Sequence, residues 1–102
     1  MAYGLTERDL AYILSALRQF PKIEQALIFG SRAKGTCKIG SDVDLAIKGK
    51  AITYQDVTRL SDLLNEQFPL PYFFDVAHYE NIDNPALIAH IDRVGQIVYS
   101  SD

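Results

Sequence analysis

A chain of 102 residues with 48% hydrophobic and 11% aromatic side chains has enough apolar material for one folding domain with a real core, and too little length for separate catalytic, acceptor-binding and regulatory domains. No stretch approaches the roughly 20 apolar residues needed to cross a bilayer, and a net charge of −3 argues against a general nucleic-acid binder, which ordinarily offers a basic face. Cys37 is the only cysteine, so no internal disulfide can form; together with the opening Met1-Ala2-Tyr3-Gly4, which has neither the basic nor the apolar region of a secretory signal, this predicts a reducing cytoplasm.

Leu10, Ile13, Leu14 and Leu17 recur at helical spacing, so Thr6 to about Gln19 is predicted to be an amphipathic helix, capped by Thr6 and ended by Pro21. Gln25 to Phe29 is a short apolar run of the kind that forms a buried strand. A loop rich in Gly, Lys and Ser follows Gly30. Asp42 to Lys48 alternates as a half-buried strand with Val43, Leu45 and Ile47 inward, closed by Gly49. Thr53 to Gln67 is predicted to be a second helix, with Val57, Leu60 and Leu64 on one stripe and Pro69 and Pro71 beyond its end. Tyr72 to His78 is aromatic and β-branched enough for a third strand. Asn84-Pro85 opens a third helix that runs to about Val94 and stops at Gly95, and Gln96 to Tyr99 adds a last short strand. The order α-β-β-α-β-α-β, without repeat or linker, predicts a single α+β domain over residues 1–102. Its expected form is two-layered, a mixed sheet of about four strands with helices packed mainly on one face.

Gly30-Ser31 stands at the end of the first strand and Asp42-Val43-Asp44 at the start of the second. A strand projects residues i and i+2 on one face, so Asp42 and Asp44 are expected to point together while Val43 and Leu45 enter the core. Paired hard carboxylates suit Mg²⁺, which also binds substrate phosphates, and a Gly-Ser turn lets backbone and hydroxyl approach those phosphates. Arg32, Lys34 and Lys38 fall in the intervening loop, where a triphosphate would need cations, although any one of them is more often a solvated side chain. An Asp-x-Asp by itself is most often a solvated strand end. Asp44, however, lies inside its strand, where like charges on one face repel. Asp75 interrupts an apolar strand and would be costly unless paired; on the residues alone, a shared metal and a buried pairing with Arg93 or a lysine account for it equally well.

Other chemistries fail on spacing. Gly30-Ser-Arg-Ala-Lys-Gly-Thr36 is not a Walker A loop, because Thr36 rather than a lysine follows the second glycine. His78 and His90 fit no zinc spacing and are expected to be structural or surface residues, and Ser31 has no His-Asp pair to activate it. Cys37 is expected to be incidental, and Tyr72, Phe73 and Phe74 to be core.

The combination Phe-Gly30-Ser31-Arg-Ala-Lys-Gly, ten residues between Ser31 and Asp42, and Ser41-Asp42-Val-Asp44-Leu resembles the minimal nucleotidyltransferases of the DNA polymerase β-like superfamily, over nearly the whole chain. The resemblance implies the polymerase β-like core, with Gly30 and Ser31 on a nucleoside triphosphate and Arg32, Lys34 and Ser41 beside it. It also implies one or two Mg²⁺ ions held by the paired Asp42 and Asp44 with Asp75 completing the metal site, all three being catalytic carboxylates. ATP is the substrate implied, and a hydroxyl of a separate all-helical partner of the HEPN or substrate-binding type the acceptor of AMP, as in toxin-antitoxin pairs whose nucleotidyltransferase is the antitoxin. Two other functions fit the same residues: a non-catalytic module that binds nucleotide or neutralises a partner by contact, and a small-molecule nucleotidyltransferase, which would need an acceptor domain beyond this length.

Overall fold

The computed structural model describes residues 2–36, 38 and 40–101; Cys37 lies outside the described residues. Helix α1 (Glu7–Arg18) begins where the sequence places its cap: the Thr6 hydroxyl accepts from the Asp9 amide at 3.0 Å and the Asp9 carboxylate accepts from the Thr6 amide at 3.1 Å. Strand β1 (Gln25–Phe29) runs directly into a five-residue helix, α2 (Gly30–Lys34), where a loop was expected. Strand β2 spans Val43–Lys48. Helix α3 (Tyr54–Asp62) repeats the reciprocal cap with Thr53 and Asp56, and continues through a π-helical turn over Leu63–Gln67. Strand β3 (Phe74–His78), a 3₁₀ turn (Tyr79–Asn81), helix α4 (Pro85–Val94) and strand β4 (Gln96–Ser100) complete the chain.

The four strands form one mixed sheet in the order β3-β2-β1-β4. β1 is antiparallel to β2 and to β4, whereas β2 and β3 run parallel, joined by a crossover through α3. Strand alternation divides the sheet's two faces. Ala26, Ile28, Val43, Leu45, Ile47 and Phe74 turn to one side and bury Ile13, Ala16, Leu17, Leu60 and Leu64 of α1, α3 and the π turn, which makes the principal core. On the opposite side Phe29 and Ala46 meet Ile91 of α4, with Leu87, Val94 and Tyr79 around them, in a second and smaller core. The helices thus lie mainly on one face, as expected of this α+β domain, and α4 covers only part of the other. Asp44 and Asp75, at even spacing from Ala46 and Ala77, project on that partly covered face.

Leu45 is fully buried in β2, an interior strand of the sheet. Leu45→Ala should lower the unfolding free energy by about 2–5 kcal/mol in urea titration, against about 1 kcal/mol for Thr53→Ala at the α3 cap. Equal midpoints for Leu45→Ala and the wild type would refute this register.

Candidate functional site

Gly30 turns the chain from β1 into α2 at φ +71, a conformation that L side chains rarely adopt. It also lies against β2: a Cβ built at Gly30 would overlap the Asp44 carboxylate. Both the turn and the close approach demand glycine. Phe29, the residue before it, is the register partner of Asp44 on one side, and Asp75 is its partner on the other. Neighbouring strands stand about 4.8 Å apart, so Asp44 and Asp75 face each other across the β2-β3 pair with no residue between them. Asp42, expected as the first residue of this strand, lies one residue before β2.

This arrangement has an electrostatic consequence. The Asp44 carboxyl is pushed above its ordinary value of 3.8, first by burial and then by the charges of Asp75 and Asp42, with His90 and Arg32 pulling the other way. Three carboxylates near one sheet end repel one another, and the oxygen-only donor set is one that a hard divalent cation would relieve. Among the described residues no three acid, histidine or cysteine side chains converge into a closed metal cage. Mg²⁺ does not require one, since it keeps several waters and is held by one or two carboxylates together with phosphate oxygens. The residues present therefore fit Mg²⁺ as an open site.

The structure redistributes the other expected roles. Ser31 is half-buried in the first turn of α2, and its carbonyl receives the Thr36 amide at 3.0 Å. Lys34, the last residue of α2, and Lys38 are exposed beside it. Arg32 is not an exposed cation of a loop: it is 3% accessible. Its Nε donates to the carbonyls of Ser41 and Asp42, both at 3.2 Å, and Nη2 donates to Ser41 as well. Nη1 donates to the carbonyl of Tyr3 at 2.9 Å, and the guanidinium stacks 4.7 Å from the Tyr72 ring. Arg32 thus fastens α2 to the segment leading into Asp42, with its guanidinium engaged by backbone carbonyls. Ser41 belongs to the same fastening, its hydroxyl accepting from the Lys38 amide at 3.0 Å.

Asp75 corrects a second expectation. It is exposed, because β3 is an edge strand whose α4-facing side is uncovered there, and no ion pair joins it to Arg93 or a lysine among the described residues. Its charge is tolerated by water rather than by a buried partner. Phe73, expected in the core, is 58% accessible, while Phe74 is buried.

Two contributions were not legible in the sequence. His90 of α4 meets the Phe29 ring edge-on at 6.1 Å and its charge bears on Asp44. Its place on the α4 stripe, one residue before the buried Ile91, is a weak signal once the sheet order is known. Tyr72 donates its hydroxyl to Asp9 at 2.8 Å, which ties the α1 cap to the Arg32 stack. Burial alone would raise the Asp9 carboxyl, but the Thr6 amide, the Tyr72 hydroxyl, the Thr6 side chain and Arg8 together hold it below its ordinary value.

The chain matches the family described as polymerase beta, nucleotidyltransferase over residues 12–102. It belongs to that family. No curated protein matches it in sequence. Among solved structures, a toxin-antitoxin crystallised with AMP-PNP has a chain that superposes at a TM-score of 0.75 with 22% identity, covering 89% of this chain and 73% of that one. A chain of the toxin-antitoxin MntA-HepT gives 0.71 with 18% identity, covering 93% and 73%. A chain from the complex of a tri-AMPylated Shewanella oneidensis HEPN toxin with MNT antitoxin gives 0.72 with 17% identity, covering 94% and 73%. At these identities the likeness is one of fold.

The raised Asp44 carboxyl sets a direction for pH. A folded-state value above that of the unfolded chain adds stability that is complete below about 3.8 and is lost as pH rises through the folded value. Asp44→Asn should therefore melt higher than the wild type at pH 7, the difference closing below about pH 3.8. Carbon-detected NMR titration should find the Asp44 midpoint above 3.8 and lowered in Asp75→Asn. Gly30→Ala, by contrast, should cost about 1–3 kcal/mol in thermal or urea unfolding, for the strained φ and the displaced Asp44 side chain; a neutral result would show that the close approach is dispensable.

Proposed function

We propose that this chain is a Mg²⁺-dependent nucleotidyltransferase that moves AMP from ATP to a hydroxyl on a separate helical partner protein of the HEPN type, as the antitoxin of a cytoplasmic toxin-antitoxin pair. The observation that carries the reading is Asp44 wedged between Gly30 and Asp75, with Asp42 beside it, in a member of the nucleotidyltransferase family. The similar complexes solved with AMP-PNP and with an AMPylated HEPN toxin support ATP as donor and protein as acceptor.

In this reading Asp42 and Asp44 would hold one or two Mg²⁺ ions, which would supply charge neutralisation for the triphosphate and the departing pyrophosphate. The Gly30 amide and Ser31 hydroxyl bind the β and γ phosphates, with Lys34 at the rim. Arg32 and Ser41 keep the Asp42 backbone fixed so that its carboxylate stays aimed at the site. The acceptor oxygen attacks the α phosphorus, the bond from that phosphorus to the bridging oxygen breaks, and pyrophosphate leaves. Asp75, exposed and solvated, takes the acceptor's proton.

The test is incubation with α-labelled ATP, Mg²⁺ and the protein encoded beside this chain. Label should appear on the partner and fall by about 10²-fold or more in Asp42→Ala and Asp44→Ala, with circular dichroism unchanged. Full transfer by either variant would sink the mechanism; a stable complex without label, surviving Asp42→Ala, would identify a binding module instead.

A further inference from the structure

A groove of about 500 Å³ lies between α3, the π turn and the outer edge of β3. It shares Asp75 with the candidate site and none of the other site residues. Its apolar wall contains Tyr54 and Phe73, 84% and 58% accessible, with Val57, Phe74 and Val76 beneath them. Two aromatic rings left in water on one groove are the usual composition of a protein-binding anchor site. The charged lining is one-sided: Asp62 and Glu66 contribute carboxylates from the helix side, Asp75 borders the groove from β3, and among the described residues no lysine, arginine or histidine lines it. Such a rim repels phosphates and attracts cationic side chains.

The β3 edge does not offer itself for strand addition at this point. The Asn65 side chain, presented by the π turn, donates to the Phe74 carbonyl at 3.0 Å and accepts from the Phe74 amide at 2.7 Å, so both outward main-chain groups of Phe74 are already satisfied. An occupant is therefore held by its side chains.

We infer that the α3-β3 groove docks a lysine- or arginine-rich segment of a partner protein, seating an apolar or aromatic side chain between Tyr54 and Phe73. The groove borders β3 at Asp75, so a docked segment lies along the strand that carries this carboxylate. The identity of the segment as acceptor rests on the transfer reading above; the docking itself does not.

Two synthetic peptides of about 15 residues, each with a central tyrosine, separate the possibilities: one flanked by Lys and Arg, the other by Asp and Glu. Titrated into the ¹⁵N-labelled chain without nucleotide, the basic peptide should shift the amides of Thr58, Ser61, Asn65 and Val76. Its affinity should exceed that of the acidic peptide at least tenfold and weaken with salt. Tyr54→Ser, Phe73→Ser and Glu66→Lys, all at exposed positions, should each reduce it at least fivefold while leaving the melting temperature unchanged. Equal binding of both peptides, absence of shifts along the groove, binding indifferent to these variants, or shifts produced there by single-stranded RNA would overturn the inference. With the full partner, Tyr54→Ser and Phe73→Ser should raise the KM for partner and spare the KM for ATP. Peptide docking without any transfer by the wild type would overturn the catalytic reading and leave the groove standing, whereas transfer with an unchanged KM for partner would do the reverse.

Discussion

The site is assembled around one buried charge. Arg32 belongs to α2, yet its guanidinium is spent on carbonyls of Ser41 and Asp42, which precede β2, and of Tyr3, which precedes α1. Hydrogen bonds from a charged donor are worth roughly 1.5–3 kcal/mol each, and a buried guanidinium left without acceptors would cost more than any of them contributes. The segment between α2 and β2 contains no helix or strand from Gly35 to Asp42 among the described residues, so these bonds, together with the sheet pairing of Val43, hold Asp42 in place. Tyr72 and Asp9 extend the same brace to the α1 cap, which places the N-terminal helix under the control of the site's geometry as well as of the core.

Against this brace the chain tolerates a local cost. Asp44 and Asp75 face each other on adjacent strands, and Asp44 is raised by burial and by its two acidic neighbours. A fold selected for stability alone would place an amide or an alcohol there. The opposite arrangement occurs at Asp9, whose donors more than offset its burial. One acid is thus fixed in place by hydrogen bonds and contributes to folding, and the other is held in a place where ionisation is opposed, a division often seen where a protein keeps charge for a ligand.

Much of the architecture could be read from local chemistry. Thr6 announces one helix start as its cap and Asn84-Pro85 another, and the alternation from Val43 to Ile47 sets which face of β2 is buried. Five residues are too few to display a helical period, and so α2 looked like a loop. Arg32 looked like a solvated cation because its acceptors are backbone carbonyls, which no residue pattern encodes. Asp75 looked buried because a strand's own sequence does not reveal whether it lies at the centre or the edge of a sheet; the order β3-β2-β1-β4 decides that, and it is set by packing between distant segments. The same fact explains why Phe73 could pass for core.

The edge position of β3 links the chemistry to the partner. Were β3 an interior strand, Asp75 would be shut between neighbours and any acceptor would have to enter from above the sheet. At the edge, Asp75 pairs with Asp44 on its inner side, and the strand that carries it borders the α3-β3 groove. Asn65 keeps another strand from occupying that edge at Phe74 without covering the aromatic wall beside it. In the proposed reading a macromolecular acceptor approaches along the sheet's rim while nucleotide occupies the end of α2, so that the two substrates reach the site from different directions. In that reading the open edge of β3, rather than an enclosed pocket, is where the acceptor is received.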